Sequence, residues 1–171
     1  MLKKAVDIQK PLEETELKAV VILQDHLKDD AKENIEWFKN NGVQVKIISG
    51  DNPLTVSKIA EQAGVDHADK YISLDGMSLD KVRSIANKYT VFGRVSPEQK
   101  EVIIEALQDK KHTVAMTGDG VNDVLALKVA DCSIAMANGS DAAKAVAHLV
   151  TLDNNFSSLP SVVAEGRRLS F

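Results

Sequence analysis

Thr117-Gly118-Asp119-Gly120-Val121-Asn122-Asp123 is the stretch that decides how this chain folds. The apolar run His112-Thr113-Val114-Ala115-Met116 leads straight into it, and Val124-Leu125-Ala126-Leu127 follows. An apolar run ending in a Gly-rich acidic turn predicts a buried strand that delivers carboxylates to the edge of a site. Asp119 and Asp123 lie four residues apart, with Gly118, Gly120 and Asn122 around them. Paired carboxylates beside close-approaching backbone suit a hard cation such as Mg²⁺, held between protein and phosphate oxygens. The stretch therefore points to phosphoryl chemistry.

Outward from it, strand-like and helix-like segments alternate. On the N-terminal side, Ala19-Val20-Val21-Ile22-Leu23 reads as a buried strand, and Asp30 to Asn40 as a helix stopped by Gly42. Val43 to Ile48 is β-branched and strand-like. Asn52-Pro53 opens a helix that Gly64 closes. Ala68 to Leu74 holds a short strand, and Ser78 to Lys88 a helix with Leu79, Val82, Ile85 and Ala86 on one side. Thr90 to Gly93 is a further strand. Ser96-Pro97-Glu98-Gln99 has the form of a capping box before a helix that lines up Val102, Ile103, Ala106 and Leu107. Past the acidic turn come a helix from about Val121, a strand Cys132–Met136, a helix 140–147, a strand Leu149–Thr151 and a helix from about Phe156. This alternation predicts an α/β fold, a Rossmann-like three-layer sandwich on a mostly parallel sheet. Residues 1–18 read as an N-terminal connector or weak strand, with 19–171 as the domain proper.

Composition narrows the function classes. The chain has 171 residues, enough for one domain with a proper core, and is 44% hydrophobic and 27% charged. Its 21 basic and 25 acidic side chains give a net charge of −4, against the basic excess of a nucleic-acid platform. Aromatic content of 4% argues against base stacking. Cys132 is the single cysteine, which fits a reducing compartment. No apolar run approaches the ~20 residues that span a bilayer, and no secretory signal is visible, so the expectation is a soluble chain in the cytoplasm.

Ligands of such sheets gather beyond the carboxyl ends of the strands. Three groups fall there. The first is Asp119, Asn122 and Asp123. The second is Ser49-Gly50-Asp51-Asn52, a hydroxyl, a glycine and free N–H groups at a helix start, which together make an anion seat. The third is Lys100 in the first turn of the helix capped by Ser96, where a cation opposes the helix dipole unless an anion sits nearby. Taken singly, Ser49-Gly50-Asp51 reads as a plain turn and Lys100 as a solvated surface lysine. Taken in order on one α/β alternation, they read as one site.

These residues resemble a known family. Thr117 to Asp123 is similar to the hinge motif of the cytoplasmic phosphorylation domain of P-type ATPases, in the haloacid-dehalogenase-like superfamily. Ser49-Gly50-Asp51-Asn52 resembles its Thr-Gly-Asp motif, with serine keeping the hydroxyl. Arg94-Val95-Ser96-Pro97-Glu98-Gln99-Lys100 resembles the segment of its essential lysine. Asp25-His26-Leu27-Lys28 resembles the Asp-Pro-Leu-Arg element before the first helix. Ala164-Glu165-Gly166-Arg167 resembles the approach to the next membrane helix.

The resemblance implies roles. Asp119 would ligate Mg²⁺, and Asp123 would complete that acidic site by orienting the metal's surroundings. Ser49 would hydrogen-bond the transferred phosphoryl group with support from Asn122, and Lys100 would neutralise its charge. Asp51 would organise the site, and Gly50, Asn52, Gly118 and Gly120 would bring backbone close to it. Arg94 would reach ATP in the parent protein. The parent would be an ATP hydrolase and cation translocase of a cell membrane, bacterial in type. Its nucleotide-binding, actuator and membrane domains would be the partners of this cytoplasmic piece, with no nucleic acid involved. Val124 to Leu127 and Asp141-Ala142-Ala143-Lys144 resemble calcium/magnesium-type pumps more than heavy-metal pumps.

The family's nucleophile, the aspartate of Asp-Lys-Thr-Gly-Thr, has no counterpart. Asp69-Lys70-Tyr71, Asp80-Lys81-Val82 and Asp109-Lys110-Lys111 do not continue as Thr-Gly-Thr. The chain is expected to be the part that follows the nucleotide-binding insertion, a haloacid-dehalogenase-like fold lacking the nucleophile strand. That leaves flanking strands with unpaired backbone groups. Residues 2–9 fill the slot, two copies pair through the exposed sheet, or a gap remains. The runner-up is a stand-alone phosphatase with Asp25 as nucleophile. A non-catalytic binding module is the third reading.

Overall fold

The structure, a computed structural model, describes residues 27–168. The expectations for residues 2–9, 1–18 and 19–23 and for Asp25 lie outside the described residues. Helix α1 (Ala31–Asn40) buries Ile35 and Phe38 and stops at Gly42, whose φ of 74° is the left-handed turn that glycine adopts without strain. Strand β1 (Ile47–Ile48) follows, then α2 (Pro53–Gln62), whose first turn is capped by Asn52 Oδ1 accepting from Leu54 N at 2.9 Å. Strand β2 (Tyr71–Ser73), α3 (Leu79–Ile85) and β3 (Val91–Gly93) come next. Helix α4 (Pro97–Asp109) carries the capping box expected at Ser96, with Gln99 N donating to Ser96 Oγ and Ser96 N to Gln99 Oε1. The remaining elements are β4 (Ala115–Gly118), a 3-10 turn (Val121–Asp123), α5 (Val124–Val129), β5 (Cys132–Ala135), α6 (Asp141–Val146), β6 (Leu149–Val150), a second 3-10 turn (Phe156–Ser158) and α7 (Leu159–Arg168).

All strand pairs among the described residues are parallel, as the alternation predicts, but they form two sheets of three. One has the order β1-β3-β2, with Ile48 opposite Phe92 and Ile72 opposite Phe92. The other has the order β4-β5-β6, with Thr117 opposite Ile134 and Ile134 opposite Leu149. β1 and β4 are terminal strands, each paired on one side only among the described residues. The halves are joined by their shared core. On one face α3, α4, α5 and α6 bury Val82, Ile103, Leu127 and Ala143 together with Phe92 of one sheet and Met116 of the other. On the opposite face Ile35 and Val56 pack with Val91, and Phe38 and Leu159 pack with Ile134. Alternate residues of one strand thus serve opposite faces, which makes three layers.

Some boundaries differ from the sequence reading. Only Ile47 and Ile48 of the expected strand 43–48 enter the ladder; the Lys46 ammonium turns to Tyr89 O at 2.6 Å. The strand expected at 112–117 runs from Ala115 to Gly118, because Val114 N is taken by the Asp131 carboxylate at 2.7 Å. Leu79, expected on the buried side of its helix, is 46% exposed, since it starts the first turn of α3 beyond the edge of the core.

Candidate functional site

β4 ends at Gly118, and the absence of a side chain there is what lets the next turn fold back. A Cβ on Gly118 would lie 2.6 Å from Asp123 Cβ and 2.8 Å from its Cγ. The 3-10 turn then returns Asp123 beneath the loop, buried to 7% exposure. Its Oδ2 accepts from Gly120 N at 3.0 Å and from Asp119 N at 3.3 Å. Its Oδ1 meets Lys100 Nζ at 2.7 Å, and both side chains of that pair are 11% exposed. A charge-assisted bond between two nearly buried ions is strong and directional. Lys100 reaches it from the first turn of α4. Glu98 in that same turn is held below the ordinary carboxylate range by its own backbone N–H and by the Ser96 hydroxyl.

Asp119 is different. Its backbone carbonyl accepts from Ser140 N at 2.7 Å, but its exposed carboxylate has no hydrogen bond or ion pair among the described residues. Lys100 and Asp123 cancel each other, so the net charge that Asp119 brings to the site is negative. Opposite stands the end of β1. Ser49 Oγ accepts from Asp51 N at 3.1 Å and donates to Asp51 Oδ2 at 3.2 Å, a closed serine turn. The loop after β3 crosses over it, with Val95 N donating to Ser49 O and Arg94 N to Asp51 O.

A cavity of about 390 Å³ lies between the two strand ends. Ile48, Ser49 and Gly50 form one wall, Met116 to Asp119 the other, and Lys100, Asp123 and Met136 complete it. Ser49, Gly50, Lys100, Gly118, Asp119 and Asp123, all singled out in the sequence, are therefore brought together. Asp51, Asn52 and Gly120 adjoin lining residues in the chain but do not line the cavity. Asn122 and Arg94 are exposed and do not line it. Arg94 holds a φ of 53°, a left-handed conformation costly for a side chain of its size.

The donor set suits Mg²⁺ in part. Hard oxygen from one uncommitted carboxylate, completed by phosphate oxygens and water, is the usual Mg²⁺ arrangement. Both Asp123 oxygens are already engaged, so Asp123 shapes the surroundings. No group of three His, Cys, Asp or Glu side chains that could hold a metal occurs among the described residues. Sequence reasoning passed over Thr117, Met116 and Met136 as lining residues, and Gly139-Ser140 as the support of Asp119. A Cβ on Gly139 would lie 3.1 Å from Asp119 O. The cap signal at Ser140, whose Oγ accepts from Ala143 N at 3.2 Å, could have flagged that support.

A family model described as "Hydrolase: haloacid dehalogenase-like hydrolase" matches residues 2–131. The chain is 42% identical over 166 residues to the probable cation-transporting ATPase exp7 of Streptococcus pneumoniae, covering 96% of this chain and 21% of that protein. It is 47% identical over 155 residues to the calcium-transporting ATPase CtpE of Mycobacterium bovis, covering 88% of this chain and 19% of that protein. The chain thus spans about a fifth of the length of these relatives. Among solved structures it is similar to the catalytic domain of the CPx-ATPase CopB-B, studied for its changes upon nucleotide binding. The TM-score is 0.63 at 30% identity, over 80% of this chain and 45% of that one.

Proposed function

This chain belongs to the haloacid dehalogenase-like hydrolase family, and on that premise we propose that it supplies the Mg²⁺- and phosphate-binding half of the phosphorylation site of an ATP-driven, cation-transporting P-type pump. The observation that carries the proposal is the convergence of Ser49, Lys100 and Asp119 on one cavity between the ends of β1 and β4. In this reading Asp119 holds Mg²⁺ through its free carboxylate. Bound there, Mg²⁺ supplies charge neutralisation to the phosphoryl oxygens. Ser49 turns its hydroxyl from Asp51 to a phosphoryl oxygen. Lys100 offers its ammonium to the same group while Asp123 fixes where that ammonium stands. Nothing here is covalent, and positioning and electrostatics are what phosphoryl transfer asks of a protein. The acceptor aspartate belongs to a strand upstream in the parent protein.

Among the described residues no helix is long and apolar enough to cross a membrane. We take the chain as a cytoplasmic piece whose partners are the nucleotide-binding, actuator and membrane parts of the same pump. Relatives named calcium-transporting support a hard cation as cargo. The test uses the chain itself. Inorganic phosphate is expected to bind only with Mg²⁺ present, with binding lost in Asp119→Asn and weakened at least ~tenfold in Lys100→Ala, the loss typical of one charge-assisted contact. Incubation with Mg-ATP is expected to leave no acyl-phosphate on the chain. Phosphate binding that ignores both substitutions, or a stable aspartyl-phosphate, overturns the proposal.

A further inference from the structure

We propose that Gln99 is the positioning residue for Lys100, a buried amide that sets how α4 presents its ammonium to the site. The inference rests on the reading of Lys100 as the cation for a phosphoryl group. Gln99 is 6% exposed, and both amide N–H groups and its amide oxygen are engaged. Nε2 donates to Leu74 O and to Met77 O, both at 2.9 Å, and Oε1 accepts from Ser96 N at 3.0 Å. The chemistry fixes the amide's orientation, because two carbonyls demand donors and one N–H demands an acceptor. One side chain therefore ties the start of α4 to the loop after β2.

The consequence for Lys100 follows from helix geometry. Neighbouring residues on an α-helix are turned about 100° from one another around the axis. With Gln99 locked into the loop after β2, the first turn is held in register with the buried face of α4, and Lys100 is carried on the side of Asp123. The Ser96 hydroxyl holds Gln99 N and stops the turn from fraying, but only the Gln99 amide ties that turn to the loop after β2. The alternative, that Asp123 alone draws Lys100 in, leaves the two bonds to Leu74 O and Met77 O without a task beyond the loop.

The test is the acetylation rate of each lysine in the intact chain under acetic anhydride, read by peptide mass spectrometry. Lys58, 66% exposed, serves as the internal standard. Gln99→Met keeps the length and removes all three bonds; Gln99→Glu keeps the acceptor and turns an oxygen on two carbonyls. The expected result is that Lys100 acetylates about fivefold faster relative to Lys58 in Gln99→Met, and faster again in Gln99→Glu, as its nearly buried pair opens. Lys100 reactivity within twofold of the native ratio in both variants overturns the inference. So does a uniform rise at every lysine, which would make Gln99 a general structural prop. Adding inorganic phosphate with Mg²⁺ to the native chain addresses the underlying reading separately. Failure to slow Lys100 acetylation overturns the phosphoryl role of Lys100, whereas failure of the Gln99 inference shows without phosphate.

Discussion

Arg94 and Gly118 show how single residues make this site. Gly118 leaves the space that the Asp123 side chain occupies, so the acidic turn closes to van der Waals contact. The sequence made that legible, since two glycines around two aspartates have few other uses. Arg94 was legible only as part of a motif. Its φ of 53° comes from the crossing of two loops, which no local pattern reports. The backbone bonds Arg94 N to Asp51 O and Val95 N to Ser49 O hold it in that conformation. Arg94→Gly should therefore leave stability unchanged or raise it by up to about 1 kcal/mol, the relief expected for a left-handed residue. Urea denaturation measures it, and a loss larger than that would mean that the guanidinium carries stability itself. In the proposed pump, the same variant should weaken binding of ATP.

Elements are held by a few contacts between their ends. β4 starts where Asp131, just before β5, accepts from Val114 N, and Gln108 of α4 joins in. Those donors hold the Asp131 carboxyl below its ordinary range. A carboxyl depressed in the folded state contributes stability above its unfolded pKa, and that contribution is lost as pH falls through the folded value. The stability gap between the native chain and Asp131→Asn should thus be full at neutral pH and close at pH values below about 4. Urea midpoints across that range would show it; a gap that widens in acid would contradict the assignment. β3 meets α2 through Gly93, where an added Cβ would lie 2.5 Å from Pro53 N. Gly93→Ala has only the backbone and the rigid ring of Pro53 to push against, so a cost of about 3 kcal/mol is expected by calorimetry. Element order, type and the Ser96 cap were readable, because hydrophobic period and capping chemistry are local. Strand ends were not, because the start of β4 is set by Val114 N donating to a carboxylate 17 residues away.

At the scale of the molecule, the two three-stranded sheets among the described residues share one core. Ile103 of α4 is fully buried in the cluster that also holds Phe92 and Met116, so neither half can lose its packing alone. Trp37, the single tryptophan, lies on α1 at the opposite face, edge-on to Phe38 at 5.3 Å. Urea unfolding followed by Trp37 fluorescence and by far-UV circular dichroism should give one midpoint. Two midpoints would mean that the halves melt independently. The division among the described residues was not legible in the periodicity, which reports each strand but not its neighbours. Terminal strands β1 and β4 also bear on the timing of synthesis. If the acceptor strand precedes a long insertion, closing the loop costs only about 0.6 kcal/mol more for each doubling of its length. The insertion can then grow almost freely, while the strand made first waits on the ribosome's progress for β1 and β4. On the proposed reading, a nascent pump would hold its nucleophile long before it holds Lys100 and Asp119, and so would stay chemically silent until this segment has been made.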